Sequence, residues 1–498
     1  MAPLPFLILK KEKRTFSVSL IISSLILSSL WSSFFIAITK EKNSNYLNIP
    51  KKVEHKIKRV ILLTVDTLRY DVISSNGNKK FRTPSIDAIA ADSVIFDNAY
   101  APSSWTLPSF ASLFTGVSPA VHLTTKLKSQ LPSSFTTLAE YMKDDGYSTA
   151  AIGCNPILAM KSNNMSKGFV DYNFYPKRSL QNSIGEFILK KYFWNYFVLD
   201  ASSEKITELS KDWLKKNRKK DFFLWIHYLD PHIPYSPPVK YIKEKEFLDA
   251  NKRSFNNVVK VRKEPIKISE KERRRIRYLY EAEVRYVDDC IGDLIETLKA
   301  LKIYRDTLII FTSDHGEEFW EHNGFEHGHT LYNELIHIPL MIKLPDERIT
   351  KRIKSSITLS SLFSTILDLC NINYQKNLCI EAPLPLNGNE EDKYNAEIFS
   401  SGNLYDEPKE SLIRRGYKLI ISEKTGIKEL YDIIDDPREK FSLTTSYPQK
   451  VAELEKLIQK HLAKASIIHK KIEFGEMPST AEIDADTKKQ LKALGYME

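Results

Sequence analysis

The sequence predicts an α/β protein built on a doubly wound, mostly parallel sheet, with a small C-terminal antiparallel sheet and a terminal helix. Four short apolar runs carry the sheet: Val60-Ile61-Leu62-Leu63-Thr64-Val65, Phe222-Phe223-Leu224-Trp225-Ile226, Thr307-Leu308-Ile309-Ile310-Phe311 and Ile338-Pro339-Leu340-Met341-Ile342. Each has strand length and ends in polar residues, as strands buried on both faces do. Helical patterns lie between them, among them Ser134 to Met142 closed by Gly146 and an amphipathic stretch from Tyr278 to Leu301. Strand alternating with helix is the pattern of a parallel sheet with crossovers. Beyond Pro383 the runs shorten to Glu397–Phe399, Tyr417–Ser422 and Lys428–Ile433, as in a small antiparallel sheet. Asp484 to Gly495 reads as a terminal helix stopped by glycine.

Ahead of the first strand, Thr15 to Thr39 contains no charged residue and is preceded by Lys10, Lys11, Lys13 and Arg14. That length spans a bilayer. Its exit, Ile36-Ala37-Ile38-Thr39, is a poor match to a small-residue cleavage site, so an uncleaved single-pass anchor is expected. The basic flank places the N-terminus in the cytoplasm and the remainder outside it, although Lys40 and Lys42 blunt the asymmetry. The expected organisation is a cytoplasmic N-terminus (1–14), a transmembrane anchor (15–39), a polar tether (40–58), a catalytic domain (59–382) and a C-terminal subdomain (383–498).

The formal net charge of +10 does not indicate a nucleic-acid partner, because residues 1–59 carry eleven Lys or Arg against three Glu and the remaining chain is near neutral. The four cysteines, at 154, 290, 370 and 379, show no Cys-x-x-Cys spacing, which excludes a zinc ribbon and a thioredoxin-like redox motif. Cys370 and Cys379 are near enough in sequence for a local disulfide, and buried free thiols fit equally well.

In an open α/β sheet, ligands gather beyond the carboxyl ends of the strands. Asp66 stands there after the first run, where it is either a helix N-cap or a ligand. Asp314 and His315 leave the third run together, and a carboxylate beside an imidazole suits Mn²⁺ or Zn²⁺ better than Ca²⁺. His227, Asp230 and His232 leave the second run in the same way. The segment Ser103-Ser104-Trp105-Thr106-Leu107-Pro108 reads as a loop entering a short helix, with Pro108 in its first turn. Thr106 is therefore either a cap or a nucleophile, stabilised by a cation and by the positive helix end that also attracts an anionic substrate group.

In this order, these segments resemble the sulfatase family within the alkaline phosphatase superfamily, over roughly residues 59 to 498. The resemblance implies a metal-binding Asp at Asp66, the Asp-His/Asn pair at Asp314 and His315, and the Asp-Pro-His segment at Asp230-Pro231-His232. It matches the Gly-Lys-x-Thr-type segment to Gly328-His329-Thr330-Leu331-Tyr332, and the C-terminal subdomain to Glu429-Leu430-Tyr431-Asp432, Asp436-Pro437-Arg438-Glu439 and Leu494-Gly495-Tyr496. The family's Cys/Ser-x-Pro-Ser-Arg signature falls on Thr106-Leu107-Pro108-Ser109-Phe110.

The departures are chemical. Sulfatases convert Cys or Ser to formylglycine, which Thr106 cannot become, and Phe110 replaces the signature Arg. The Lys and His that grip sulfate fall on Gly153-Cys154-Asn155-Pro156, and the Asp that often follows the first metal ligand is Thr67. These changes resemble relatives in which a metal-bound Thr attacks phosphorus. The resemblance thus implies one divalent cation, Mn²⁺ or Zn²⁺ ahead of Mg²⁺ or Ca²⁺, held by Asp66, Thr106, Asp314 and His315, with no formylglycine. Thr106 is the expected nucleophile, and His232 and His329 bind the anionic oxygens or protonate the leaving group. Asp230, His232 and His329 are an alternative second-metal set, and His227, His322 and His327 are expected to be supporting or structural. The expected substrate is a phosphate or sulfate ester; transfer of a phosphorylated headgroup to a lipid or envelope glycan is the alternative, and a non-catalytic binding protein the third class.

Overall fold

The three strongest apolar runs become adjacent parallel strands. In the computed structural model, which describes residues 56–174, 203–247, 255, 261–262, 267–375, 381–386, 396–472, 483–494 and 496–497, they are β1 (Arg59–Val65), β5 (Phe222–Tyr228) and β6 (Thr307–Thr312). β5 and β6 are buried along their whole length and β1 from Val60 onward, which is why they read as continuous hydrophobic runs rather than alternating ones. With β2 (Val94–Tyr100), β3 (Ser148–Gly153), β4 (Asp171–Phe174), β9 (His337–Lys343) and β10 (Lys351–Thr358) they make an eight-stranded sheet in the order β10-β2-β9-β6-β1-β5-β3-β4, while β7 (Glu318–Phe319) and β8 (Phe325–Glu326) pair with each other as a short ribbon. Only β9 runs antiparallel to its neighbours. Pro339, inside β9, faces a register shift between Phe96 and Ala99 of β2, where its missing N–H leaves no ladder bond unmade.

Register sets the site. Val65 pairs with Tyr228, and Thr64 with Thr312, so β1, β5 and β6 end at the same edge. Asp66, Asp230 and Asp314 follow those ends directly or within two residues.

The helix expected from Tyr278 begins earlier and spans Glu270–Ala300, with the Ser269 side chain accepting from the Glu272 N–H at its start. Its buried Asp288 crosses to the helix Pro84–Ala90 and accepts the N–H groups of Ser85 and Ile86, supplying an N-cap from outside. The pattern expected from Ser134 becomes the helix Leu138–Asp144, started by a capping box between Thr137 and Glu140.

The C-terminal sheet is a meander of β11 (Ile398–Ser401), β12 (Lys409–Arg414), β13 (Tyr417–Ser422) and β14 (Lys428–Asp432). Val451, Leu454 and Ile458 of the helix Pro448–Ile472 cover Phe399, Leu412, Leu419 and Leu430 on one face of that sheet. The terminal helix is Ala485–Ala493, capped by Asp484 accepting from Thr487 N–H. The expected boundary at 382/383 falls between β10 and β11.

Residues 52–498 form one compact unit. The expected N-terminus, anchor and most of the tether lie outside the described residues, among which no helix is long and apolar enough to cross a membrane. Cys154, Cys290 and Cys370 are buried and no disulfide joins them to one another, and Cys379 is outside the described residues.

Candidate active site

Asp66 continues the β1 ladder, its N–H donating to the Tyr228 carbonyl at 2.9 Å. It caps no helix, since the next turn, Tyr70–Val72, starts at Arg69 without a side-chain cap. Its Oδ2 accepts from Asn155 Nδ2 at 2.8 Å and lies 3.3 Å from His227 Nε2, while Oδ1 has no hydrogen-bond partner. Asp314 Oδ1 accepts the N–H of His315, and its Oδ2 is likewise without a partner. His315 Nδ1 donates to the Gly316 carbonyl at 2.9 Å, so Nε2 is the nitrogen that faces Asp66 Oδ1 and Asp314 Oδ2, 3.5 Å from each. Asp66, Asp314 and His315 thus present ligand atoms within 4.8 Å of one another, all buried.

Two buried carboxylate oxygens without partners are costly, and their convergence on one imidazole lone pair is what a divalent cation resolves. The donor set fits Mn²⁺ or Zn²⁺. The two carboxyls also differ electrostatically. Burial alone would raise Asp66, but His232, His227 and His315 outweigh it and hold the group at about 2. Burial and the neighbouring Asp66 push Asp314 up to about 6.

Thr106 is the first residue of the fully buried helix Thr106–Thr115, and the N-cap position, Trp105, gives no side-chain cap. Thr106 Oγ1 instead lies 3.3 Å from His315 Nε2 and 3.3 Å from the Tyr496 hydroxyl. The loop that places it is fixed by Trp105 Nε1 donating to the Gly402 carbonyl and Ser109 Oγ donating to the Ser103 carbonyl. His232 completes this group: Nδ1 donates to the Ile233 carbonyl, and Nε2 is 2.8 Å from the Tyr496 hydroxyl.

The structure therefore brings Asp66, Thr106, Asp314, His315 and His232 together. His329 Nε2 lies 2.7 Å from Glu318 Oε2. Asp230 accepts from the N–H and hydroxyl of Ser203, and among the described residues Asp230, His232 and His329 do not form a group that could hold a metal ion. His327 joins the group: its ring centroid is 4.5 Å from that of His315 and 4.9 Å from that of His232. Its Nδ1 shares a proton with Glu317 Oε1 across 2.8 Å, and Nε2 has no partner. Burial, then His315 and His232, hold His327 well below the usual imidazole range.

The replaced family positions are accounted for by packing. Phe110 lies against Trp225, with centroids 4.8 Å apart, and edge-on to His227 at 5.0 Å. His227 in turn bonds Thr64 Oγ1 through Nδ1. Asn155 holds Asp66 with its amide nitrogen and caps the short helix Pro156–Ala159 with its amide oxygen. His322 lies with Glu334 and the Glu439 carbonyl, away from Thr106.

Sequence reasoning did not assign Tyr496 or His327 to this group. Tyr496 carried one signal, the Leu494-Gly495-Tyr496 match. His327 and His329 alternate on one short segment, and nothing in their spacing says which of them faces the carboxylates.

A sheet ending in paired acids and an imidazole, opposite a hydroxyl on a helix N-terminus, defines a class of metal-dependent ester hydrolases. Comparison with known proteins gives the family: the Sulfatase model matches residues 58–372. The chain belongs to the sulfatase family and is an ester hydrolase of it. It is 23% identical over 456 residues to an arylsulfatase of Clostridium perfringens, covering 81% of this chain and 94% of that protein. Among solved structures it is similar in fold to a 2-O GAG sulfatase (TM-score 0.66, 17% identity, 88% of this chain and 96% of the other). It is similarly close to the phosphonate monoester hydrolase of Agrobacterium radiobacter (TM-score 0.63, 19% identity, 82% and 96%).

Proposed function

We propose that this sulfatase-family hydrolase cleaves phosphate or phosphonate esters through Thr106 and one divalent cation held by Asp66, Asp314, His315 and Thr106. The observation that carries the reading is the position of Thr106 Oγ1, 3.3 Å from the imidazole nitrogen that faces two unpartnered carboxylate oxygens. A cation bound there supplies Lewis-acid stabilisation of the threonine oxygen.

The chain's own residues supply the rest. The N-terminus of the helix Thr106–Thr115 offers uncapped N–H groups to an anionic ester. His232 and His327 wall the same space, and His329 stays with Glu318. Attack by Thr106 Oγ1 on phosphorus expels the alcohol and leaves a threonine phosphoester, which water then hydrolyses. Phosphorus is favoured over sulfur because Thr106 offers only a hydroxyl, and because Cys154 and Pro156 stand where the resemblance puts the Lys and His that grip sulfate. The arylsulfatase relatives support sulfate esters as the competing substrate.

The uncharged run 15–39 with its basic flank supports a single-pass membrane anchor and an extracytoplasmic catalytic unit. An ester carried by a lipid headgroup or envelope glycan would be within reach of such a unit.

The test is a panel of aryl phosphate, phosphodiester, phosphonate and sulfate esters with Mn²⁺, Zn²⁺, Mg²⁺ or Ca²⁺ added in turn. Turnover of the phosphorus esters, lost by at least 10³-fold in Thr106→Ala, is expected from removal of a nucleophile. Cleavage of sulfate esters alone would overturn the preference for phosphorus, and wild-type turnover in Thr106→Ala would overturn the nucleophile.

A further inference from the structure

The last helix of the chain delivers a phenol to the nucleophile. Leu491 and Leu494 are buried and pin the C-terminal end of the helix Ala485–Ala493, and the Tyr496 N–H turns back to the Leu491 carbonyl at 2.8 Å. That turn leaves the Tyr496 ring buried beside His232, with centroids 5.4 Å apart. Its hydroxyl lies 2.8 Å from His232 Nε2 and 3.3 Å from Thr106 Oγ1.

The direction of this chain follows from its far end. The Ile233 carbonyl can only accept, so His232 Nδ1 carries the hydrogen. In the neutral ring Nε2 is then an acceptor, and the Tyr496 O–H donates to it. The Tyr496 oxygen is left to accept from the Thr106 O–H. The other nitrogen near Thr106, His315 Nε2, faces the two carboxylates and belongs to the proposed cation.

Resting on the reading of Thr106 as nucleophile, we infer that Tyr496 is a catalytic residue that relays the Thr106 proton to His232. As Thr106 Oγ1 forms its bond to phosphorus, its proton passes to the Tyr496 oxygen while the Tyr496 proton passes to His232 Nε2. The P–O bond to the leaving group breaks, and an aryl group departs as the phenolate with its electron pair. When water cleaves the threonine ester, the same two transfers run backward and return the proton to Thr106 Oγ1, and the proton lost by the attacking water goes to solvent. The relay acts on the threonine oxygen alone, so it holds for phosphorus or sulfur esters.

The test uses the full chain, the p-nitrophenyl ester that the wild type turns over best, and Tyr496→Phe, which keeps the ring and removes the hydroxyl. General acid–base groups contribute about 10²- to 10⁴-fold, so kcat/KM is expected to fall by about 10²-fold. A wild-type solvent deuterium effect on kcat/KM is expected to disappear in the variant, while inorganic phosphate binding measured by calorimetry and the melting temperature stay as in the wild type. A loss smaller than about 10-fold, or a gain showing that the tail blocks the site, would overturn the relay. So would a loss accompanied by weaker phosphate binding or a lowered melting temperature, which would make Tyr496 a packing residue. Thr106→Ala is run in parallel. Loss of turnover there with Tyr496→Phe active sinks the relay alone, and wild-type turnover in Thr106→Ala sinks the nucleophile and the relay with it.

Discussion

At the scale of single residues, the asymmetry between Asp66 and Asp314 governs how the protein takes up a cation. Asp66, held at about 2, is ionised at any working pH, whereas Asp314, pushed to about 6, keeps its proton in mildly acidic solution. A cation must displace that proton. Affinity is therefore expected to be flat in Asp314's contribution above pH 6 and to fall by up to about 10-fold per pH unit below it. Calorimetric titration of the metal-free protein with Mn²⁺ between pH 5 and 7.5 checks this, and Asp314→Asn is expected to abolish the slope along with tight binding. A pH-independent affinity would show that Asp314 is not a ligand. A second residue-scale expectation concerns Gly324, where a Cβ would sit 2.4 Å from His329 Nε2 and 2.5 Å from Glu318 Oε2. Gly324→Ala must push that pair apart and is expected to cost about 1–3 kcal/mol, as overpacking does, read as a lowered denaturant midpoint. Asp66, Asp314 and Thr106 were legible because each follows a buried strand within two residues or opens a helix, where the sequence pattern itself marks the position. His327 and Tyr496 were not: one is chosen over His329 only by which ring meets Glu317, and the other meets Thr106 across 390 residues of sequence.

At the scale of elements, the same division separates what periodicity carries from what pairing decides. β1, β5 and β6 announce themselves because both faces are buried, while β12, Lys-Glu-Ser-Leu-Ile-Arg, shows only two apolar residues and is held by its neighbours β11 and β13. The reversed direction of β9 has no signature in its own residues, since hydrophobicity does not encode strand polarity. Within the C-terminal subdomain Lys418 and Glu439 form a fully buried pair, Nζ 2.8 Å from Oε1, and Lys418 ties the meander to the catalytic segment by donating to Asn333 Oδ1 at 3.1 Å. Glu439 also accepts the Asn333 N–H. Removing one charge strands the other in the interior, so Lys418→Met is expected to destabilise by about 3–5 kcal/mol. Lys418→Met combined with Glu439→Gln is expected to cost less than the sum of the two single changes, because the double variant leaves no buried charge. Urea unfolding of the three variants measures this, and additive losses would show that the pair carries no coupling.

At the scale of the whole molecule, the proposed membrane anchor makes predictions separate from those of the folded unit. Residues 52–498 close on themselves as one unit, with a core cluster that runs from Ile61 to Met341 and a second beneath the meander. The run 15–39 is uncharged and long enough to cross a bilayer. If that run is the anchor and the site depends on none of it, cutting the chain at residue 40 separates membrane attachment from chemistry. The full chain is then expected to sediment with membranes and to require detergent for release, while the chain lacking residues 1–39 stays in the aqueous fraction. Because Asp66, Thr106, Asp314, His315 and Tyr496 all lie in the retained unit, kcat/KM toward a small soluble ester is expected to stay within about 3-fold, the change that roughly 0.7 kcal/mol represents. Turnover of an ester embedded in a vesicle is expected to fall further, since the anchor raises the effective concentration of such a substrate at the surface. On the proposed orientation, read from the basic flank at residues 10–14, protease added to intact cells is expected to degrade the catalytic unit and spare only what the bilayer protects. A truncated chain that still sediments with membranes would show that attachment resides in the folded unit, and a catalytic unit shielded from protease until lysis would reverse the orientation.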